Sequence, residues 1–298
     1  MRHPNKDLIG RKKPELDTPC LVIDLDLLDE NLQKMQARIK AAGKALRPHA
    51  KTHKCSMLAK MQVANGAIGV CAAKVSEAEA LVDAGLSGVL ITGPVAGWEK
   101  VNRLVSLLGR APFLMAAVDS PAGIELLESR LAEKDRCLDV LLDVDIGHRR
   151  TGVPPGKAVD LAGRLLSSNR FRLRGIQAYA GHVQHIPRYE DRRAASREGL
   201  RQAAAVFKQL QARDQACTIF SASGTGTATI DLAVPELTEL QAGSYALMDA
   251  EYLAIESTDG TDTPDYHPAL TLLTTVVSGP HGRQATVDAG LKALYRDG

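Results

Sequence analysis

Short apolar runs alternate along this chain with stretches whose apolar residues recur every three or four positions. The runs at Cys20 to Leu25, Ala45 to His49, Ile68 to Ala72, Gly88 to Thr92, Phe113 to Val118, Leu138 to Asp145, Leu173 to Tyr179 and Cys217 to Ala222 predict eight strands. Between them the spacing predicts helices. Asp26 to Ala42 carries Leu28, Leu32, Met35 and Ile39 on one face, and Ser56 to Ala64, Ser76 to Ala84, Trp98 to Leu108 and Arg192 to Gln211 follow the same rule. Strict alternation over this length predicts an α/β fold, a (βα)8 TIM-like barrel in preference to an open doubly wound sheet. After Ile255 the pattern changes. Ser257 to Pro264 is rich in Thr, Asp and Gly and reads as a loop; Leu270 to Val277 and Gln284 to Val287 read as strands with no helix between them. The expected organisation is a barrel over residues 14–255 and the start of a β-rich C-terminal domain over 256–298, incomplete at Gly298.

Bulk properties narrow the function classes. The 298 residues carry 37 basic and 35 acidic side chains, for a net charge of +2, with both signs interspersed. No basic tract offers a nucleic-acid or membrane surface, and 4% aromatic content argues against a base-stacking platform. The five cysteines, Cys20, Cys55, Cys71, Cys137 and Cys217, never form a C-x-x-C pair, which suits reduced thiols in a cytoplasmic protein. Met1 to Lys13 is polar, without an apolar signal core, and no run of eighteen apolar residues occurs.

Polar residues gather where strands are expected to end, the usual location of a barrel's site. Arg47-Pro48-His49-Ala50-Lys51-Thr52-His53-Lys54 follows the second strand. Lys51 stands there among cationic neighbours, which disfavour its ammonium form and favour the neutral amine that Schiff-base chemistry needs. Asp143, Asp145, His148, Arg149 and Arg150 follow the sixth strand, and Gln177, Tyr179, His182 and His185 the seventh. Ser221-Ala222-Ser223-Gly224-Thr225-Gly226-Thr227 is a small, hydroxyl-rich loop able to offer N–H groups to a phosphate. A phosphate-bearing aldehyde would use the lysine and this loop together, and pyridoxal phosphate fits both. His49 with His53, and His182 with His185, are also conceivable metal-ligand pairs, although neither has a third ligand nearby in sequence. His185, beyond a strand end, is a candidate acid/base group.

These segments resemble the D-threonine aldolase and D-serine dehydratase group of pyridoxal phosphate enzymes, of the alanine racemase fold type. The resemblance rests on Asp17-Thr18-Pro19-Cys20, the octapeptide around Lys51, Arg150-Thr151-Gly152-Val153, Val183-Gln184-His185, Glu239 to Tyr245, and Val287-Asp288-Ala289-Gly290. It implies that Lys51 is the cofactor's covalent anchor and that Arg150 lies near its phenolic oxygen. Tyr179 would pack beside the ring and Gln241 would face the ring nitrogen without enforcing either protonation state. Gly224, Thr225, Gly243, Ser244 and Tyr245 would form the phosphate region, and His185 would lie near a substrate β-hydroxyl. The implied reaction is retro-aldol cleavage of a D-3-hydroxy amino acid, a small-molecule substrate, to glycine and an aldehyde. The alternatives are dehydration of D-serine or 3-hydroxyaspartate, or cofactor binding without catalysis. The resemblance also implies a homodimer and a divalent metal held by a His-x-Asp or His-x-Cys motif in the C-terminal β-domain, a motif that residues 256–298 do not contain. Racemisation would need a tyrosine base from the second domain, and Tyr295 stands there in a different context.

Overall fold

The computed structural model describes residues 6–257 and 265–293; part of the expected Ser257 to Pro264 loop, and Tyr295, lie outside them. In chain order the strands and helices are β1 (Cys20–Ile23), α1 (Leu25–Ala41), β2 (Ala45–Leu46), α2 (Ser56–Ala64), β3 (Val70–Ala72), α3 (Val75–Asp83), β4 (Val89–Ile91) and α4 (Trp98–Leu107). There follow β5 (Met115–Val118), α5 (Pro121–Glu133), β6 (Leu138–Asp143), α6 (Pro155–Leu166), β7 (Phe171–Ala178), α7 (Tyr189–Arg213), β8 (Ile219–Ala222), α8 (Ala228–Asp231), β9 (Glu239–Leu240) and α9 (Ala250–Leu253). The last three are β10 (Leu270–Leu273), β11 (Val276–Ser278) and β12 (Thr286–Val287).

Eight of these strands form one parallel sheet in the order β2-β9-β8-β7-β6-β5-β4-β3. A parallel bridge between His49 and Cys71 joins the two ends. The Ile68 N–H donates to the Leu46 carbonyl at 2.9 Å and the Cys71 N–H to the Pro48 carbonyl at 2.8 Å. The sheet therefore closes into the expected barrel. The identity of its strands differs from the expectation. The Cys20 to Leu25 run is not a barrel strand: β1 pairs antiparallel with β10, Cys20 opposite Leu273. The eighth barrel strand is β9, only two residues long, between β8 and β2. Apolar runs do not record their partners, so a strand from the β-rich part passes for a barrel strand, and so short a strand escapes notice.

The helices follow from their sequences. Asp24 caps α1 by accepting from the N–H groups of Asp26 and Leu27, and Leu28, Leu32, Met35 and Ile39 are buried on one face. The main core lies between this helical ring and the sheet, and a small cluster of Cys71, Leu90, Met115 and Leu141 forms separately. Inside the barrel, Glu239 on β9 accepts two 2.9 Å hydrogen bonds from Arg47 just beyond β2; both side chains are buried. The β-rich strands attach through Asp288. It accepts from the hydroxyls of Thr18 and Thr274 at 2.5 and 2.6 Å and from the Thr275 N–H at 2.9 Å.

Candidate active site

The segments following β2, β3, β4, β6, β7, β8 and β9 line one cavity of about 690 Å³ at the C-terminal face of the barrel. Lys51, Arg150, Tyr179, His185, Gly224, Thr225, Gln241, Gly243 and Ser244 all border it. Tyr245 does not. Its side chain is buried behind the wall, where its hydroxyl accepts from Gln62 Nε2 at 3.1 Å, and its N–H donates to Thr225 Oγ1 at 3.0 Å. It supports the wall through its backbone.

Lys51 lies in a single 3₁₀ turn, Ala50–Thr52, immediately after the His49 bridge. Its Nζ is 5.4 Å from the Tyr179 ring centre, and the Arg150 guanidinium carbon is 5.8 Å from the same ring. The lysine side chain is reached by solvent, yet protein encloses it on the sides of the pocket. That enclosure, and then the charge of Arg150, lower its pKa below the ordinary lysine value. Arg47, a neighbour in sequence, is not the source of this effect, because it is paired with Glu239 inside the barrel. The perturbing charge arrives from the loop after β6, which sequence proximity could not reveal.

The two histidines of the octapeptide do not form a metal pair. His49 Nδ1 accepts from the Lys51 N–H at 3.3 Å, and Nε2 lies 3.0 Å from Thr92 Oγ1, whose own proton goes to the Ala72 carbonyl at 3.2 Å. Burial, then Lys51 and Arg150, hold His49 neutral, with its pKa pushed down to about 3. His53 bonds to Gln62 Oε1 and accepts from the Cys55 N–H. His182 and His185 also face different neighbours: His182 lies against His148, and His185 packs on Tyr252 at 4.4 Å with Nδ1 3.7 Å from Glu251 Oε2. Among the described residues no three His, Cys, Asp or Glu side chains are grouped to hold a metal ion, so these residues alone do not supply the ligand set that the resemblance led one to expect.

Beside Lys51, the loops after β8 and β9 converge. The N–H groups of Gly224, Thr225, Gly243 and Ser244 have no internal acceptor among the described residues. Ser244 Oγ lies 3.3 Å from Thr52 Oγ1. Such a set of free donors is a cradle for an anion. The loops are held by buried polar contacts. The Gly226 N–H donates to Gln184 Oε1, Gln184 Nε2 donates to Thr227 Oγ1, and Thr227 and Ser196 donate to Asp231. A Cβ on Gly226 would stand 2.1 Å from the Gln184 carbonyl oxygen, and one on Gly243 would stand 2.8 Å from that of His49. Ser223 takes φ +76°, a left-handed conformation that glycine adopts more readily.

Thr92, Glu251 and Tyr252 border the cavity without having been expected to do so. A signal for Thr92 was present: it is a polar residue closing the apolar run of β4. Nothing local marks Glu251 or Tyr252, which reach the cavity from α9.

These features define a parallel-barrel protein whose mouth places a lysine of lowered pKa beside a set of backbone N–H groups that have no acceptor among the described residues. The model of the family described as alanine racemase, N-terminal domain, matches residues 23–251, and one described as a putative serine dehydratase domain matches residues 269–298. The chain belongs to the alanine racemase N-terminal domain family. It is 39% identical to a D-threonine aldolase of an Arthrobacter species over 95% of this chain and 74% of that protein. It is 36% identical to a 3-hydroxy-D-aspartate aldolase of Paracoccus denitrificans, over 97% and 76%. A D-threo-3-hydroxyaspartate dehydratase of a Delftia species is 32% identical, over 95% and 73%. The crystal structure of D-threonine aldolase from Filomicrobium marinum superposes with a TM-score of 0.87 at 37% identity, covering 94% of this chain and 75% of that one. Its close relatives are thus lyases of hydroxy amino acids.

Proposed function

We propose that this chain binds pyridoxal phosphate in the pocket and cleaves D-3-hydroxy amino acids to glycine and an aldehyde. The carrying observation is the Lys51 amine, its pKa lowered and with no hydrogen-bond or ion-pair partner among the described residues, beside four backbone N–H groups that have no acceptor among those residues. An aldehyde carbon and a phosphate fit those two features respectively. When bound, the cofactor supplies an electron sink for negative charge developing at the substrate Cα.

In this reading Lys51 is the covalent anchor. Gly224, Thr225, Gly243 and Ser244 hold the phosphate, with the Tyr245 N–H fixing the Thr225 hydroxyl. Arg150 would lie near the phenolic oxygen, Tyr179 would flank the ring, and Gln241 would face the ring nitrogen. His185 takes the proton from the substrate β-hydroxyl. The Cα–Cβ bond then breaks, the β-carbon leaves as the aldehyde carbonyl, and a proton returned to Cα completes glycine. A homodimer is part of the same proposal. Among the described residues no helix is long and apolar enough to cross a membrane.

The purified protein with pyridoxal phosphate is expected to show a visible absorption band that Lys51→Ala abolishes. An unchanged band in the variant would remove Lys51 from its role. The match to the serine dehydratase domain and the Delftia relative favour a second reading, in which the α-proton is lost and the hydroxyl expelled. Product analysis with D-threonine and D-3-hydroxyaspartate separates the two. Glycine plus aldehyde supports cleavage, whereas ammonia plus a keto acid supports dehydration. A band without either product, with divalent metal supplied, would leave cofactor binding alone.

A further inference from the structure

Gln177, at the inner end of β7, is 3% exposed, and its neighbours Asp143 and Gln241 are 3% and 4% exposed. The Gln177 amide nitrogen donates to the Thr92 carbonyl at 2.9 Å and to Asp143 Oδ1 at 3.0 Å. A peptide carbonyl has no proton to give. Nor has Asp143 above its pKa, which burial pushes up to about 6 against the hydrogen bonds from Gln177 and Thr151. Gln177 is therefore held in one orientation, with its nitrogen on these two acceptors and its oxygen toward Gln241. That oxygen accepts from Gln241 Nε2 at 3.1 Å, and Ser221 Oγ takes the second proton of the same nitrogen at 2.9 Å. Both Gln241 N–H protons are then used. The atom left over is Gln241 Oε1, which finds no donor among the described residues, on a side chain that lines the buried floor of the pocket.

Resting on the pyridoxal phosphate reading, we propose that Gln177 is a positioning residue that holds Gln241 as a pure acceptor, so that the ring binds with its nitrogen protonated. The nitrogen lies across the ring from the carbon that Lys51 would hold, away from the anchor. A carbonyl oxygen repels the lone pair of a neutral pyridine and accepts from a pyridinium N–H, so the fixed amide selects one protonation state. The selected state is the stronger electron sink. The amide thus enforces a protonation state, where the sequence suggested that a glutamine would be indifferent.

The test uses the holoprotein loaded with pyridoxal phosphate labelled with ¹⁵N in the ring, read by ¹⁵N NMR at pH 7.5. The wild type is expected to give the protonated resonance. Gln177→Leu should move it toward the unprotonated position while the visible band persists. Gln177→Glu should restore it, since a carboxyl there can donate to Asp143 and still accept from Gln241. Gln241→Leu removes the acceptor itself and should give the unprotonated resonance even if Gln177→Leu does not fold. An unprotonated wild-type ring with a normal visible band, or a ring still protonated in Gln241→Leu, would overturn the proposal. Absence of the band in the wild type would instead overturn the cofactor reading beneath it.

Discussion

His49 is one residue from Ala50 and two from Lys51, yet its chemistry is set by residues far away in sequence. Thr92 receives its Nε2, and burial with Lys51 and Arg150 keeps it neutral, with a folded pKa of about 3. The unfolded value is about 6.5. Between these values the unfolded chain binds more protons than the folded one, so stability falls as pH falls from about 6.5 toward 3. Each pH unit in that window costs about 1.4 kcal/mol. Urea unfolding at pH 7.5 and 5.5 is expected to show the wild type losing about 1.4 kcal/mol more than His49→Gln over this step. Equal losses would mean that His49 is not held neutral. Residue-scale features differ in how legible they were. The Lys51 position could be read from its segment, because lysine among polar residues at a strand end is a local pattern. Its perturbing charge could not, because Arg150 lies on another strand's loop and Arg47 turns into the barrel.

At the scale of elements, the Arg47–Glu239 pair ties β2 to β9, the strand that pattern alone did not show. The Arg47 guanidinium also donates to the Gly88 carbonyl, so it reaches the loop before β4. Removing the carboxylate charge would leave a buried guanidinium uncompensated. Such losses cost about 3–5 kcal/mol. Glu239→Gln is expected to lower stability to urea by an amount of that order, and a change under 1 kcal/mol would show that the pair contributes little to closure. The helices were legible because their apolar spacing is a property of consecutive residues. The β8 and β9 loops were partly legible: their small residues suggested an anion site, but the convergence of two loops into one cradle depends on β8 and β9 being adjacent in the sheet.

Across the whole molecule, the strands outside the barrel are held by contacts between distant segments. Asp288 collects Thr18, Thr274 and Thr275, and these hydrogen bonds lower its pKa. Asp288→Ala is expected to speed amide exchange in β1, β10 and β11 while leaving exchange in the barrel strands and the visible band unchanged. Uniform loss of protection would instead mean that the β-rich strands and the barrel unfold as one unit. The sequence by itself determined the alternation of strands and helices, the barrel class, the change of pattern after Ile255 and the polar segments that line the cavity. All of these rest on local periodicity and on residue type at a strand end. Only the tertiary structure decided that β1 pairs with β10, that β9 completes the barrel, and that Arg150 rather than Arg47 acts on Lys51. It alone also fixed the orientation of Gln241 through Gln177. Each of these depends on which segments meet in space, and hydrogen bonding, charge and burial act over ångströms without regard to distance along the chain.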